Sequence, residues 1–87
     1  MATTENISIA DKYDFRYDVT LEYHPHFGHT NAMHRGRVIA QVSLGRINPP
    51  YGDDDREWEA YEERFAEWRD EIKQNIIPYC QQYFNHN

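Results

Sequence analysis

From Trp58 to Ile76 the large apolar residues Trp58, Tyr61, Phe65, Trp68, Ile72 and Ile76 recur at intervals of 3, 4, 3, 4 and 4. That spacing places all six on one face of an α-helix and on no common face of a strand. The start of the helix is also written in the chain. Asp54 suits the N-cap, Glu57 stands three residues later as in a capping box, and Asp53 and Asp55 favour the positive end of the helix dipole. Pro78 interrupts the pattern, so it either kinks the helix or opens a new one in its first turn. Beyond it Tyr79, Cys80, Tyr83 and Phe84 continue the apolar pattern. Residues 53–87 therefore read as one acidic, aromatic helical segment.

The preceding sequence alternates instead. Tyr13, Phe15, Tyr17, Val19, Leu21 and Tyr23 share one parity, and Asp14, Arg16, Asp18, Thr20, Glu22 and His24 share the other. Period-2 alternation of aromatic and β-branched residues predicts a strand over 13–24 with one buried face. Val38, Ala40, Val42 and Leu44 predict a second strand over 37–44, with Ile39 as an apolar exception on the polar side. The connection from His24 to Gly36 contains Pro25, Gly28 and Asn31, so 13–47 reads as a β-hairpin with a long His-rich loop. Residues 1–12 read as a loose terminus or a short edge strand through Ile7 and Ile9.

The two apolar faces need each other. The expected fold is α+β: a small antiparallel sheet of two or three strands packed against one long C-terminal helix. Eighty-seven residues make one thin domain, for which a homodimer or a stabilising partner is the expected reinforcement. Cys80 is the only cysteine, so no disulfide forms within the chain. It reads as a core or interface residue, and Trp58 and Trp68 read as core. Without an apolar run long enough to span a bilayer or a signal-peptide start, the chain reads as cytoplasmic, with no membrane partner.

Charge is unevenly distributed. Residues 1–52 carry five acids and five bases, whereas residues 53–87 carry ten acids and four bases, so the net charge of −6 belongs to the helical segment. Asp55, Glu59, Glu63, Glu67 and Glu71 occur at every fourth position, and Glu62 and Asp70 thicken the acidic surface. Such a row has two readings, a solvated helix face or a partner-binding surface. In the second, carboxylates about 6 Å apart stand in for successive phosphates and occupy the basic channel of a nucleic-acid-binding protein. Direct nucleic-acid binding by so acidic a chain is not expected.

His24, His26, His29 and His34 fall within eleven residues. They are weak metal candidates, because their spacing matches no metal motif and no cysteine completes a ligand set. With Arg35, Arg37 and Arg46 they make the alternative reading, a metal- or nucleic-acid-binding hairpin loop. No P-loop, dinucleotide turn, nucleophile elbow or His-Glu-x-x-His helix occurs in the sequence, so the expectation is a non-enzymatic protein without a cofactor.

In size, acidity and cysteine usage the chain resembles small phage-encoded anti-defence proteins, the anti-CRISPR and anti-restriction inhibitors, some of which imitate DNA. The likeness rests on size and charge, not on matched residues. It implies inhibition by protein–protein interaction with a nucleic-acid-handling complex, and implies no particular fold or site residues.

Overall fold

The computed structural model describes residues 3–86. Residues 1, 2 and 87, at the ends of the stretches read as loose terminus and helix, lie outside the described residues. Four strands, β1 (Thr3–Ala10), β2 (Arg16–His24), β3 (His29–His34) and β4 (Arg37–Ser43), precede a single helix, α1 (Asp55–Asn85). The strands form one antiparallel sheet in the order β1-β2-β3-β4, and the helix lies across one face. The α+β class is as expected, but the sheet has four strands, not two or three.

The additional strand is β3, which lies within the stretch read as a loop. Its sequence, His29-Thr30-Asn31-Ala32-Met33-His34, has no aromatic–polar alternation. The small side chain of Ala32 is instead what lets the helix approach the sheet between Leu21 and Ala40, its cross-strand partners. Arg35 and Gly36 both have positive φ, as a two-residue type I′ hairpin turn requires. The turn before β3 is closed by His24, whose carbonyl accepts from the amides of both Phe27 and Gly28.

Ile39 also finds its explanation. Ala32 pairs with Ala40 but Met33 pairs with Val38, so the register shifts by one residue at Ile39. A bulge of this kind reverses which parity faces the core. Ile39 packs against the core and Val38 is exposed on the opposite face.

The N-terminal part of the 13–24 alternation does not belong to the strand. Tyr13 and Phe15 are 71% and 66% exposed, in a turn built by Asp11. The Asp11 carboxylate accepts from the amides of Tyr13 and Phe15 and from the Tyr17 hydroxyl. Those bonds outweigh the side-chain pattern and end the pairing at Ala10–Arg16.

The core forms where Trp68, Ile72, Ile76, Cys80 and Phe84 meet Ile9, Val19, Leu21, Tyr23 and Ala32. Burial pushes the Cys80 thiol up to about 11, so it is protonated and unreactive at neutral pH. Asp54 caps the helix through a 2.9 Å bond from the Arg56 amide. The helix is continuous through Pro78, whose ring faces solvent between the buried Ile76 and Cys80.

Glu5 ties the edge strand to the helix. Its carboxylate accepts from Lys73 Nζ at 2.6 Å and from the Tyr23 hydroxyl at 2.9 Å. The Lys73 hydrogen bond, against some desolvation, holds the Glu5 carboxyl below its ordinary range, and burial with the Glu5 bond pushes Tyr23 up. A depressed carboxyl stabilises the fold above its unfolded pKa and loses that contribution as pH falls through the folded value. Lys73→Met is therefore expected to lower the melting temperature at neutral pH. The deficit should shrink towards zero in thermal melts carried below the carboxylate range. Because both side chains are about one-third exposed, its size stays under about 1 kcal/mol.

Candidate interaction surface

A helix of 31 residues is about 46 Å long, whereas the longest strand, nine residues, spans about 30 Å. One end of α1 must therefore project past the sheet, consistent with a longest molecular dimension of 49 Å. The projecting end is the first half, since no residue of α1 before Trp68 is buried. The segment 44–52 runs beside it, held by the Trp68 Nε1 bond to the Gly45 carbonyl (2.7 Å) and the Trp58 Nε1 bond to the Gly52 carbonyl (2.8 Å).

All seven predicted carboxylates, Asp55, Glu59, Glu62, Glu63, Glu67, Asp70 and Glu71, are exposed. Among the described residues the only ion pair joins Lys73 to Glu5, so none of the seven is neutralised by a direct contact. Arg64 and Arg46 share shallow grooves with Glu63, Glu67 and Glu71 along the 44–52 segment, and Arg56 and Arg69 adjoin Asp55 and Asp70 in the chain. Each four-residue step advances the row about 6 Å and turns it about 40°. From Asp55 to Glu71 the carboxylates follow a right-handed spiral, not a flat edge.

Like charges at this spacing cost about 0.2–0.5 kcal/mol per pair, and the row has four such pairs. Glu67→Gln, which relieves two of them, is expected to raise stability by a few tenths of a kcal/mol. Added salt should raise the wild-type midpoint more than that of the variant, as urea titrations at two ionic strengths would show.

Trp58, expected in the core, is 38% exposed, and Tyr61 and Phe65 are half-buried. Trp58, Tyr61 and Phe65 form an edge-to-face ladder, with ring centroids 5.8 Å and 6.2 Å apart, that continues to Trp68. At about 3.6 residues per turn the acidic row starts beside Trp58, near Asp55 and Glu62, and winds to the side of the helix opposite the other rings by Glu67. The exposed Trp58 is therefore the ring placed to act as an anchor beside the charge. Pattern alone could not separate these rings from core residues. The available signal was length, because the stripe outruns any strand in the chain.

The four histidines do not converge. His24 and His29 pair across β2 and β3 with rings 5.0 Å apart, beside Phe27. His26 sits in the turn between them. His34 stands at the other end of β3, about 16 Å along the strand from His29, against Tyr17 and Phe84. No group of three or more His, Cys, Asp or Glu residues placed to hold a metal occurs among the described residues. The arginines also separate: Arg46 lines a groove with Glu67 and Glu71, far in the fold from the Arg35–Arg37 turn.

Comparison with protein-family models, with curated proteins and with solved structures gives no match. No helix among the described residues is long and apolar enough to cross a membrane.

Proposed function

We propose that this chain is a non-enzymatic inhibitor that acts by protein–protein interaction through the projecting half of α1. The partner is a protein with a basic surface, of the kind that holds a nucleic-acid backbone. The observation that carries this reading is the coincidence, on the unburied stretch of helix before Trp68, of five un-neutralised carboxylates, Asp55, Glu59, Glu62, Glu63 and Glu67, with the exposed Trp58 end of the aromatic ladder. The charge steers encounter and excludes acidic competitors, and the rings supply desolvated contact area once the surfaces meet. Imitation of DNA fits the spiral of the row, which has the hand of a B-form strand.

The reading is tested by affinity capture from lysate with the wild-type chain and with Glu63→Lys/Glu67→Lys side by side. The double reversal replaces exposed residues only, so circular dichroism should be unchanged. The captured partner should be lost from the reversed chain and should elute from the wild type as salt rises. Equal capture by both chains at low salt contradicts the proposal.

A further inference from the structure

At the end of the sheet nearest the C-terminus of α1 lies a cavity of about 410 Å³, lined by Tyr17, His34, Arg35, Arg37, Tyr83 and Phe84. Its volume falls in the range of small-molecule sites. Four rings build its wall. Tyr17 and Phe84 are stacked, with centroids 4.1 Å apart and planes 4° from parallel. His34 stands edge-on to Phe84 at 5.0 Å, and Tyr83 edge-on to Phe84 at 5.3 Å. Phe84 is buried at the centre of this wall, to which β2, β3 and α1 all contribute.

The polar groups around it are unevenly engaged. His34 Nδ1 lies 2.8 Å from the Asp18 carbonyl, which can only accept, so Nδ1 carries the proton and Nε2 is left to meet a ligand. Asp11, on the far side of Tyr17, is already committed to two amides and the Tyr17 hydroxyl. Desolvation pushes its carboxyl up, but those bonds outweigh it and hold the carboxyl below its ordinary range. The Asp18 side chain belongs to the opposite face of the sheet, with Thr20 and Arg16. Arg35 and Arg37, by contrast, are exposed, held two residues apart by the tight turn, and neither has a hydrogen-bond or ion-pair partner among the described residues. Two guanidinium forks beside an aromatic wall suit a planar ring that carries a phosphate.

We infer that this cavity binds a nucleotide, its base against the Tyr17–Phe84–Tyr83 wall and its phosphate between Arg35 and Arg37. The same unit could be free or part of a single strand. A net charge of −6 repels a long polyanion, which favours the free mononucleotide. The site is distinct from the acidic half of α1 and does not depend on it.

The test is a set of amide chemical-shift titrations of the intact chain with AMP, adenosine, inorganic phosphate and a short oligothymidine. AMP is expected to shift resonances of Tyr17, His34, Tyr83, Phe84 and the Arg35–Arg37 turn, and to bind more tightly than adenosine or phosphate. In Arg35→Asn/Arg37→Gln, where Asn suits the positive φ at residue 35, AMP affinity should fall at least about tenfold, the loss of one charge-assisted contact. Unaltered shifts elsewhere in that variant confirm its fold. No saturation with AMP by about 1 mM, shifts confined to other surfaces, or unchanged affinity in the double variant would overturn the site. Tighter binding of the oligothymidine than of AMP would overturn the assignment to a free nucleotide.

Discussion

Trp68→Ala is expected to remove about half of the stability of the domain. The indole is 5% exposed, it packs edge-on to Tyr23 with centroids 6.3 Å apart, and its Nε1 donates to the Gly45 carbonyl. Truncating a buried Trp to Ala costs about 3–5 kcal/mol. A domain of this size has only about 5–10 kcal/mol in total, and the substitution also frees the segment 44–52 that the indole holds against the helix. Urea denaturation followed by far-ultraviolet circular dichroism should show a midpoint displaced to about half of the wild-type value or below. Trp58→Ala provides the contrast. That indole lies outside the core, so its loss should move the midpoint little while weakening partner capture.

The second large effect belongs to Gly28. Its φ is +78°, and a Cβ there would stand 2.8 Å from the Leu44 carbonyl oxygen and 3.1 Å from Arg46 Cγ. The close approach exists because Leu44 donates its amide to the Gly28 carbonyl at 2.7 Å, which anchors the chain leaving β4 to the β2–β3 turn. Gly28→Ala combines a left-handed conformation with a backbone collision and should cost about 2–3 kcal/mol. Gly36 has the same φ but open space around its Cα, so Gly36→Ala should cost only the conformational part, about 1 kcal/mol. Thermal melts of the two variants therefore separate strain from contact at matched φ.

Much of this architecture is legible in the sequence, and the failures have separate causes. The helix was readable because its stripe, cap and dipole charges agree, and Asp54 does cap it. The range 37–44 and the apolar set from Tyr17 to Tyr23 were readable because alternation is a direct consequence of the pleat. β3 was hidden because it is a strand by position: Thr30, Ala32 and Asn31 fit between Tyr23, Leu21, Ala40 and Gln41 without any pattern of their own. Tyr13 and Phe15 misled because a single carboxylate, Asp11, organises a turn that overrides alternation. Pro78 did not end the helix, since burial of Ile76 and Cys80 on either side offsets one missing backbone bond.

The acidic surface was legible as a list of residues but not as a place. Spacing put Asp55 to Glu71 on one row, whereas only the mismatch between helix and strand lengths reveals that the part of the row before Trp68 projects past the sheet. The Arg35–Arg37 cavity was not legible at all. Its rings come from β2, β3 and the last turn of α1, and nothing in the spacing of Tyr17, His34 and Phe84 brings them together before the fold does.

Backbone hydrogen exchange of the captured complex, compared with the free chain, tests the central proposal most directly. No residue of the first half of α1 is fully buried, so its amides should exchange faster than those of residues 68–84 in the free chain. Partner binding is predicted to slow exchange across residues 56–67 and to leave the polar outer face of the sheet unchanged. Slowing confined to the β3–β4 turn or to the strands, with residues 56–67 exchanging as before, would contradict it.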